Sequence, residues 1–267
     1  MPTIIYCYTA TGNSLFIARS LARALGDAEV LPIPRYRKTG AAPAAQTVGI
    51  VFPVHAWGMP RTVTEFVRKL DLRGARYVFA VASCGGTPAG SLPRLRRAIR
   101  KNGGELHAGF VVRSTGYMET GGDDPPMIAL VRRLSGKPFP RDEERLPQIV
   151  EAVKAMRKCR PERSALAGSL LGSFFHGMGE KTFPGLDKGY RVLGECAQCG
   201  TCSRVCPRGN VGLENGKPSW HHDCDFCGAC ATWCSRNVIQ FGGAPDAVSA
   251  TPRKHHPLVN AADVAWA

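Results

Sequence analysis

Apolar positions follow two rhythms over the first 160 residues. Short, nearly continuous β-rich runs occur at 3–8 (Thr-Ile-Ile-Tyr-Cys-Tyr), 28–31, Val48 to Phe52, Tyr77 to Ala82 and Phe110 to Val112. Runs of this kind predict strands covered on both faces. Between them the spacing becomes helical. Ile17, Leu21, Ala24 and Leu25 mark a helix over Leu15 to Leu25 that Gly26 stops, and Val63, Phe66, Val67 and Leu70 mark one over Arg61 to Leu70. Leu92, Leu95 and Ile99 follow Ser91, which reads as a cap, and Gly103-Gly104 ends that helix; Leu146, Ile149, Val150, Val153 and Met156 mark another. Alternating strands and helices predict an α/β domain over residues 1–160, a doubly wound sheet of five parallel strands.

Beyond this rhythm the pattern loosens. Residues 114–140 are rich in Gly, Pro and Asp and read as a loop, with Asp123-Asp124-Pro-Pro as turn chemistry. Residues 161–187 read as a linker or docking segment. Its apolar stretch, Leu166 to Phe175, is explained by packing between domains, with a membrane-surface helix as the alternative. The tail, 243–267, has no period and is expected to be ordered by docking.

Within 188–242 the cysteines take over. C-A-Q-C-G-T-C-S-R-V-C-P at 196–207 is repeated, 28 residues on, as C-D-F-C-G-A-C-A-T-W-C-S at 224–235. The same shift aligns Gly200 with Gly228, Arg208 with Arg236 and Val211 with Ile239, as an internal duplication does. Two C-x2-C pairs also serve zinc, but a zinc ribbon has no use for a third Cys at x2 and a fourth at x3, twice over. A [4Fe–4S] cube takes three thiolates from one turn, and in twin motifs the fourth Cys ligates the other cluster. That rule assigns Cys196, Cys199, Cys202 and Cys234 to one cluster and Cys224, Cys227, Cys230 and Cys206 to the second. The segment resembles the bacterial two-cluster ferredoxins over about 50 residues, with Ser235 where the first half has Pro207. A small α+β two-[4Fe–4S] ferredoxin domain is the expectation.

The first strand runs straight into Thr9-Ala10-Thr11-Gly12-Asn13-Ser14 and a helix. Free N–H groups at a helix start, with hydroxyl and amide donors around them, suit an anion. The loop matches neither the P-loop nor the dinucleotide fingerprint. In a doubly wound sheet the ligand sits beyond the strands' carboxyl ends, where loops 53–60 and 83–91 also fall. T-A-T-G-N-S followed by a Trp-Gly loop and an S-C-G-G-T loop resembles a flavodoxin.

That resemblance implies FMN. Thr9, Ala10, Thr11, Gly12, Asn13 and Ser14 would wrap its phosphate. Pro53, Ala56, Trp57 and Gly58, and Ser83, Cys84, Gly85 and Gly86, would bracket the isoalloxazine, with Trp57 stacked on it and the Gly58 peptide free to flip toward N5. The third loop lacks the second aromatic of many flavodoxins, and Tyr117 is the candidate to cover that face.

The order flavodoxin-like domain, linker, ferredoxin domain resembles the fused flavodoxin–ferredoxin proteins (the EFR-type ferrodoxin family). The implied function is electron transfer between two [4Fe–4S] clusters and FMN, converting one- to two-electron chemistry for a redox partner. The alternatives are an FMN-dependent reductase of a small molecule, with His55, Cys84 or Tyr117 as proton donors, and a redox-sensing or structural Fe–S module.

Composition adds the partner's sign. With 35 basic and 21 acidic residues the formal charge is +14, which favours acidic partners, nucleic acid or anionic lipid. No nucleic-acid module is visible, so the expected partner is a redox protein with an acidic docking surface. Arg94, Arg97 and Lys101 form a candidate stripe for it, or a solvated face. Thiolate clusters need a reducing compartment, and no leader or transmembrane run is apparent, so the expected location is cytoplasmic. His221, His222, His255 and His256 are expected to be exposed.

Overall fold

A computed structural model describes residues 2–114, 126–241 and 254–265. Its first half alternates β1 (Thr3–Cys7), α1 (Asn13–Leu25), β2 (Ala28–Pro32), the short α2 (Ile33–Tyr36), β3 (Thr47–Pro53), α3 (Arg61–Val67), β4 (Tyr77–Cys84), α4 (Ser91–Lys101) and β5 (Ala108–Arg113). All neighbouring strands are parallel, in the order β2-β1-β3-β4-β5. This is the flavodoxin-like doubly wound order, whose topological switch point lies between β1 and β3.

Strand periodicity sorts the core into two layers. Ile5, Cys7, Val51, Phe79 and Val81 face α1 and a helix further along the chain, α6 (Asp142–Lys154). Their neighbours Tyr6, Tyr8, Ile50, Phe52, Val78 and Ala80 face α3 and α4. Alternate residues pointing to opposite faces explain why β3 and β4 are apolar throughout.

Three local expectations need correction. Gly90, not Ser91, precedes α4; Ser91 is the helix's first residue, and its buried hydroxyl caps nothing. Residues 126–134, read as loop, form α5 (Pro126–Leu134), because Met127, Ile128, Leu130, Val131 and Leu134 carry a helical spacing that the surrounding Gly and Pro obscured. Helix α3 ends at Val67, three residues before Leu70. Tyr117 and the Asp123-Asp124 turn lie outside the described residues.

The segment 161–187 is largely helical, with α7 (Leu166–Glu180) and a 3-10 turn at Phe183–Gly189. There follow β6 (Tyr190–Val192), α8 (Thr201–Arg204), β7 (Val211–Glu214), β8 (Lys217–Trp220), α9 (Ala229–Thr232) and β9 (Ile239–Phe241). β6 pairs with β9, and β7 with β8, both antiparallel. The sequence duplication is visible in the backbone. Gln198 and Phe226 have φ of 54° and 51°, and Gly200 and Gly228 have 69° and 71°. Among the described residues no helix is long and apolar enough to cross a membrane.

Candidate functional site: two cysteine quartets at the end of the sheet

None of the eleven cysteines forms a disulfide. The fold gathers the twin motif into two groups, each around its own cavity. One cavity is lined by Cys206, Cys224, Cys227 and Cys230 with Tyr190, Val211 and Trp220. The other is lined by Cys196, Cys199, Cys202 and Cys234 with Leu213, Pro218, Val238 and Ile239. Gly200 and Gly228 take left-handed φ at the starts of α8 and α9, turning the chain around each space. Backbone N–H groups aim at sulfur: Gln198 N donates to Cys196 Sγ at 3.4 Å, Phe226 N to Cys224 Sγ at 3.1 Å and Asn210 N to Cys206 Sγ at 3.2 Å. Among the described residues no three His, Cys, Asp or Glu side chains converge to hold a metal ion; each quartet stands around a space, not a point.

The quartets differ in setting. Cys199 is exposed and its thiol is held below the usual range, chiefly by a hydrogen bond with Thr201. Burial pushes Cys202 up to about 11 and Cys224 up to about 12, and raises Cys227 and Cys230 further. Thiols this sheltered ionise only against a cationic ligand such as iron, so the donor set fits a metal–sulfur cluster that displaces their protons.

The more buried quartet faces the carboxyl end of β1. The Tyr8 hydroxyl donates to Asp225 Oδ2 at 3.0 Å, and the indole N–H of Trp233 donates to the Ala10 carbonyl at 2.7 Å. Arg61 donates to the Cys224 carbonyl at 3.2 Å and to Asp223 at 3.1 Å. Arg208, with a side chain 3% exposed, reaches Glu65, Asp223 and Asp225 at once. The contacts of Tyr8, Ala10, Arg61 and Glu65 with this segment join residues more than 140 positions apart, and no local pattern announces them.

Loop 9–14 is uncharged and almost wholly buried. Thr9 Oγ1 accepts from Gly12 N at 3.1 Å, Asn13 Nδ2 donates to Thr11 Oγ1 at 3.0 Å, and Ser14 and Ser83 share a hydroxyl bond of 2.8 Å. Gly12, at φ 89°, has no side chain to cap the thirteen-residue α1. A helix start ringed by hydroxyls fits a phosphate monoester. The loop's outer side is fastened by the tail: His256 N donates to the Thr11 carbonyl at 2.9 Å, and a Cβ at Gly12 would stand 2.9 Å from Val259 Cβ. His256 stacks on Phe16, and His255 on Trp233. His222, itself exposed, bonds Asp187 at 2.7 Å. The histidines thus hold contacts beyond the solvated role expected of them.

Loop 53–60 holds the least foreseeable feature. His55 and Gly58 exchange both backbone hydrogen bonds, at 3.0 and 2.9 Å, around Ala56 (φ 41°) and Trp57 (φ 64°). A two-residue turn with both centres left-handed normally carries Asn-Gly, so Ala-Trp there sits under strain. Helix α7 holds it: His176 Nδ1 lies 3.0 Å from the Ala56 carbonyl, and the Trp57 and Phe175 rings are 6.0 Å apart. A Cβ at Gly58 would stand 2.3 Å from the His176 ring, and one at Gly172 would stand 3.1 Å from Trp57 Cβ. The Gly58 carbonyl accepts from His55 N, so any peptide flip must first open that bond. Pro53 is half-buried and Ala56 exposed. In the third loop Ser83 and Cys84 are buried, Gly85 and Gly86 are exposed, and a Cβ at Gly86 would meet nothing within 4 Å. Arg94, from the candidate docking stripe, pairs with Glu180 at 3.5 Å.

The family described as 4Fe-4S dicluster domain matches residues 195–239. Among curated proteins none matches the chain. Solved structures similar to it include a short-chain flavodoxin associated with a non-canonical PDU bacterial microcompartment, at 18% identity over 58% of this chain and 97% of that one (TM-score 0.37). An FMN-dependent NADH-azoreductase from Bacillus anthracis is similar at 12% identity over 58% and 99% (TM-score 0.37). Rubredoxin oxygen:oxidoreductase from Desulfovibrio gigas is similar at 14% identity over 58% and 36% (TM-score 0.34). The doubly wound assignment rests on the strand order itself. The chain is a flavodoxin-like α/β fold fused to a C-terminal 4Fe-4S dicluster domain.

Proposed function

We propose that this protein is an electron-transfer flavo-iron-sulfur protein that holds two [4Fe–4S] clusters and one FMN. The observation that carries the reading is the seam itself: the quartet Cys206, Cys224, Cys227 and Cys230 adjoins Tyr8 and loop 9–14, at the switch point where a doubly wound sheet binds its ligand. Each cluster handles one electron and FMN one or two, and a shared chain raises their effective concentration for each other. Cys196, Cys199, Cys202 and Cys234 would hold the cluster nearer solvent, where an external redox partner can reach. Loop 9–14 would hold the flavin phosphate, with loops 53–58 and 83–86 beside the ring.

Two of the three candidate proton donors, His55 and Cys84, are poorly suited to a small-molecule reductase. Burial, aided by His176 and opposed by Asp225, lowers His55 to about 4, and burial raises Cys84 to about 12. The first is deprotonated at neutral pH and the second holds its proton tightly, so neither is matched to proton delivery there. The test is an anaerobic preparation analysed for iron, sulfide and FMN, followed by stopped-flow exchange between photoreduced flavin and the clusters. About eight irons and one FMN per chain are expected, with rapid exchange. Zinc in place of iron, no flavin, or no exchange overturns the reading.

A further inference from the structure

The packing role expected of Leu166 to Phe175 accounts for only one face of α7. Small residues line that inner face: Gly168, Ser169 and Gly172 are buried, with a Cβ at Gly172 only 2.7 Å from Ala89 Cβ. On the outer face Leu166, Leu170, Phe174 and Met178 recur every four residues and are 57–65% exposed. At 1.5 Å per residue the stripe is about 18 Å long. Helix α5 packs alongside, with Ala165 N donating to the Ser135 carbonyl, and adds exposed Met127, Leu130 and Leu134. Seven of the nine large apolar side chains exposed among the described residues therefore lie on these two helices. A contiguous apolar surface of this kind marks an interaction site.

Among the described residues, the exposed charges on and flanking these two helices are basic. Arg132 and Arg133 sit on α5 between Leu130 and Leu134, Lys137 follows that helix, and Arg163 and Lys181 flank the ends of α7; all are exposed. Neither helix carries an acidic residue except Glu180, which Arg94 pairs. A second copy would bring the same cations face to face. The stripe presents bulky Leu, Phe and Met tips between basic flanks. That suits a fluid interface in which apolar tips enter the acyl boundary and cations lie at headgroup level.

We infer that the α5–α7 face seats this protein on an anionic membrane surface. The seat is peripheral, with α7 lying in the plane of the interface. It brings the protein's redox site to within a molecular diameter of the membrane.

Co-sedimentation of the full, cluster-loaded chain with mixed phosphatidylcholine–phosphatidylglycerol vesicles tests this, against vesicles of phosphatidylcholine alone. Binding to the anionic vesicles is expected, weakened by salt. Leu170→Glu and Phe174→Glu, both at exposed positions, should each weaken it by about tenfold or more while leaving cluster absorbance unchanged. Failure to co-sediment overturns the inference, as does equal retention of both variants. A dimer that Leu170→Glu dissociates, without vesicle binding, also overturns it and gives the face to a second copy. Binding only to an acidic protein likewise overturns it.

Discussion

The indole N–H of Trp233 donates to the carbonyl of Ala10 across 2.7 Å, and that bond fastens the second cysteine run to the loop that opens α1. Both residues are buried, at 7% and 4% exposure. In Trp233→Phe the ring survives but the donor is lost, which leaves a buried carbonyl unpaired at a cost of about 1–3 kcal/mol. The thermal midpoint of the anaerobic protein should fall by several degrees with iron content retained. An unchanged midpoint shows that water replaces the indole and the bond contributes nothing.

Arg208 is the seam's second fastening. Its guanidinium faces Glu65 at 3.2 Å, Asp223 at 2.6 Å and Asp225 at 3.8 Å, and the Asp225 side chain is fully buried. Arg208→Met keeps much of the volume but leaves Asp225 facing Tyr8 and the Thr62 N–H without its cation. Loss of one partner from a buried pair costs about 3–5 kcal/mol. The exposed pair of Arg73 with Asp71 should behave oppositely, with Arg73→Ala leaving the unfolding curve where it was. Denaturant midpoints of the two variants check the contrast; equal losses would refute it.

The different fates of these residues explain what could be read in advance. Strands such as Val48 to Phe52 declare themselves because a strand covered on both faces must be apolar throughout. The cysteine spacing is as legible, since one turn around a cube fixes three ligands. Trp233 and Arg208 are opaque for the opposite reason. Each is an ordinary residue of the twin motif in sequence, and only docking gives it Ala10 or Glu65 as a partner. The Ala56-Trp57 turn was hidden because left-handed φ is normally announced by Gly or Asn. Here His176, 120 positions away, helps hold it. Likewise α7 was foreseen as packing material, but which of its faces packs depends on Gly58 and Ala89, far away in the chain.

His55 makes stability depend on pH with a definite sign. Its folded value is lowered to about 4 from the ordinary 6.5, first by burial. His176 is lowered as well, by burial and then by Arg94. The unfolded chain therefore binds a proton near pH 6.5 that the folded chain refuses. Stability is whole above 6.5 and falls as the pH drops toward 4, by at most about 1.4 kcal/mol per unit for one such group. His55→Gln should flatten that decline relative to the parent, with thermal midpoints read at intervals down to about pH 5. Identical slopes in parent and variant would remove His55 as the cause.

The strained turn beside His55 yields two substitutions, and the third loop one more, whose outcomes differ in kind. Ala56→Gly relieves a left-handed alanine and should stabilise by about 1 kcal/mol, because glycine adopts that φ without the Cβ clash. Gly58→Ala should destabilise by about 1–3 kcal/mol or expel α7, since its methyl would fall 2.3 Å from the His176 ring. Gly86→Ala meets nothing within 4 Å and has no left-handed φ, so the variant should unfold with the parent. If the flavin approaches the backbone at Gly86, that same methyl lowers FMN content while iron stays constant. FMN and iron per chain, measured beside unfolding curves for all three, separate loops that only support the fold from a loop that also borders a flavin. A Gly86→Ala protein with full FMN would assign the third loop to folding alone.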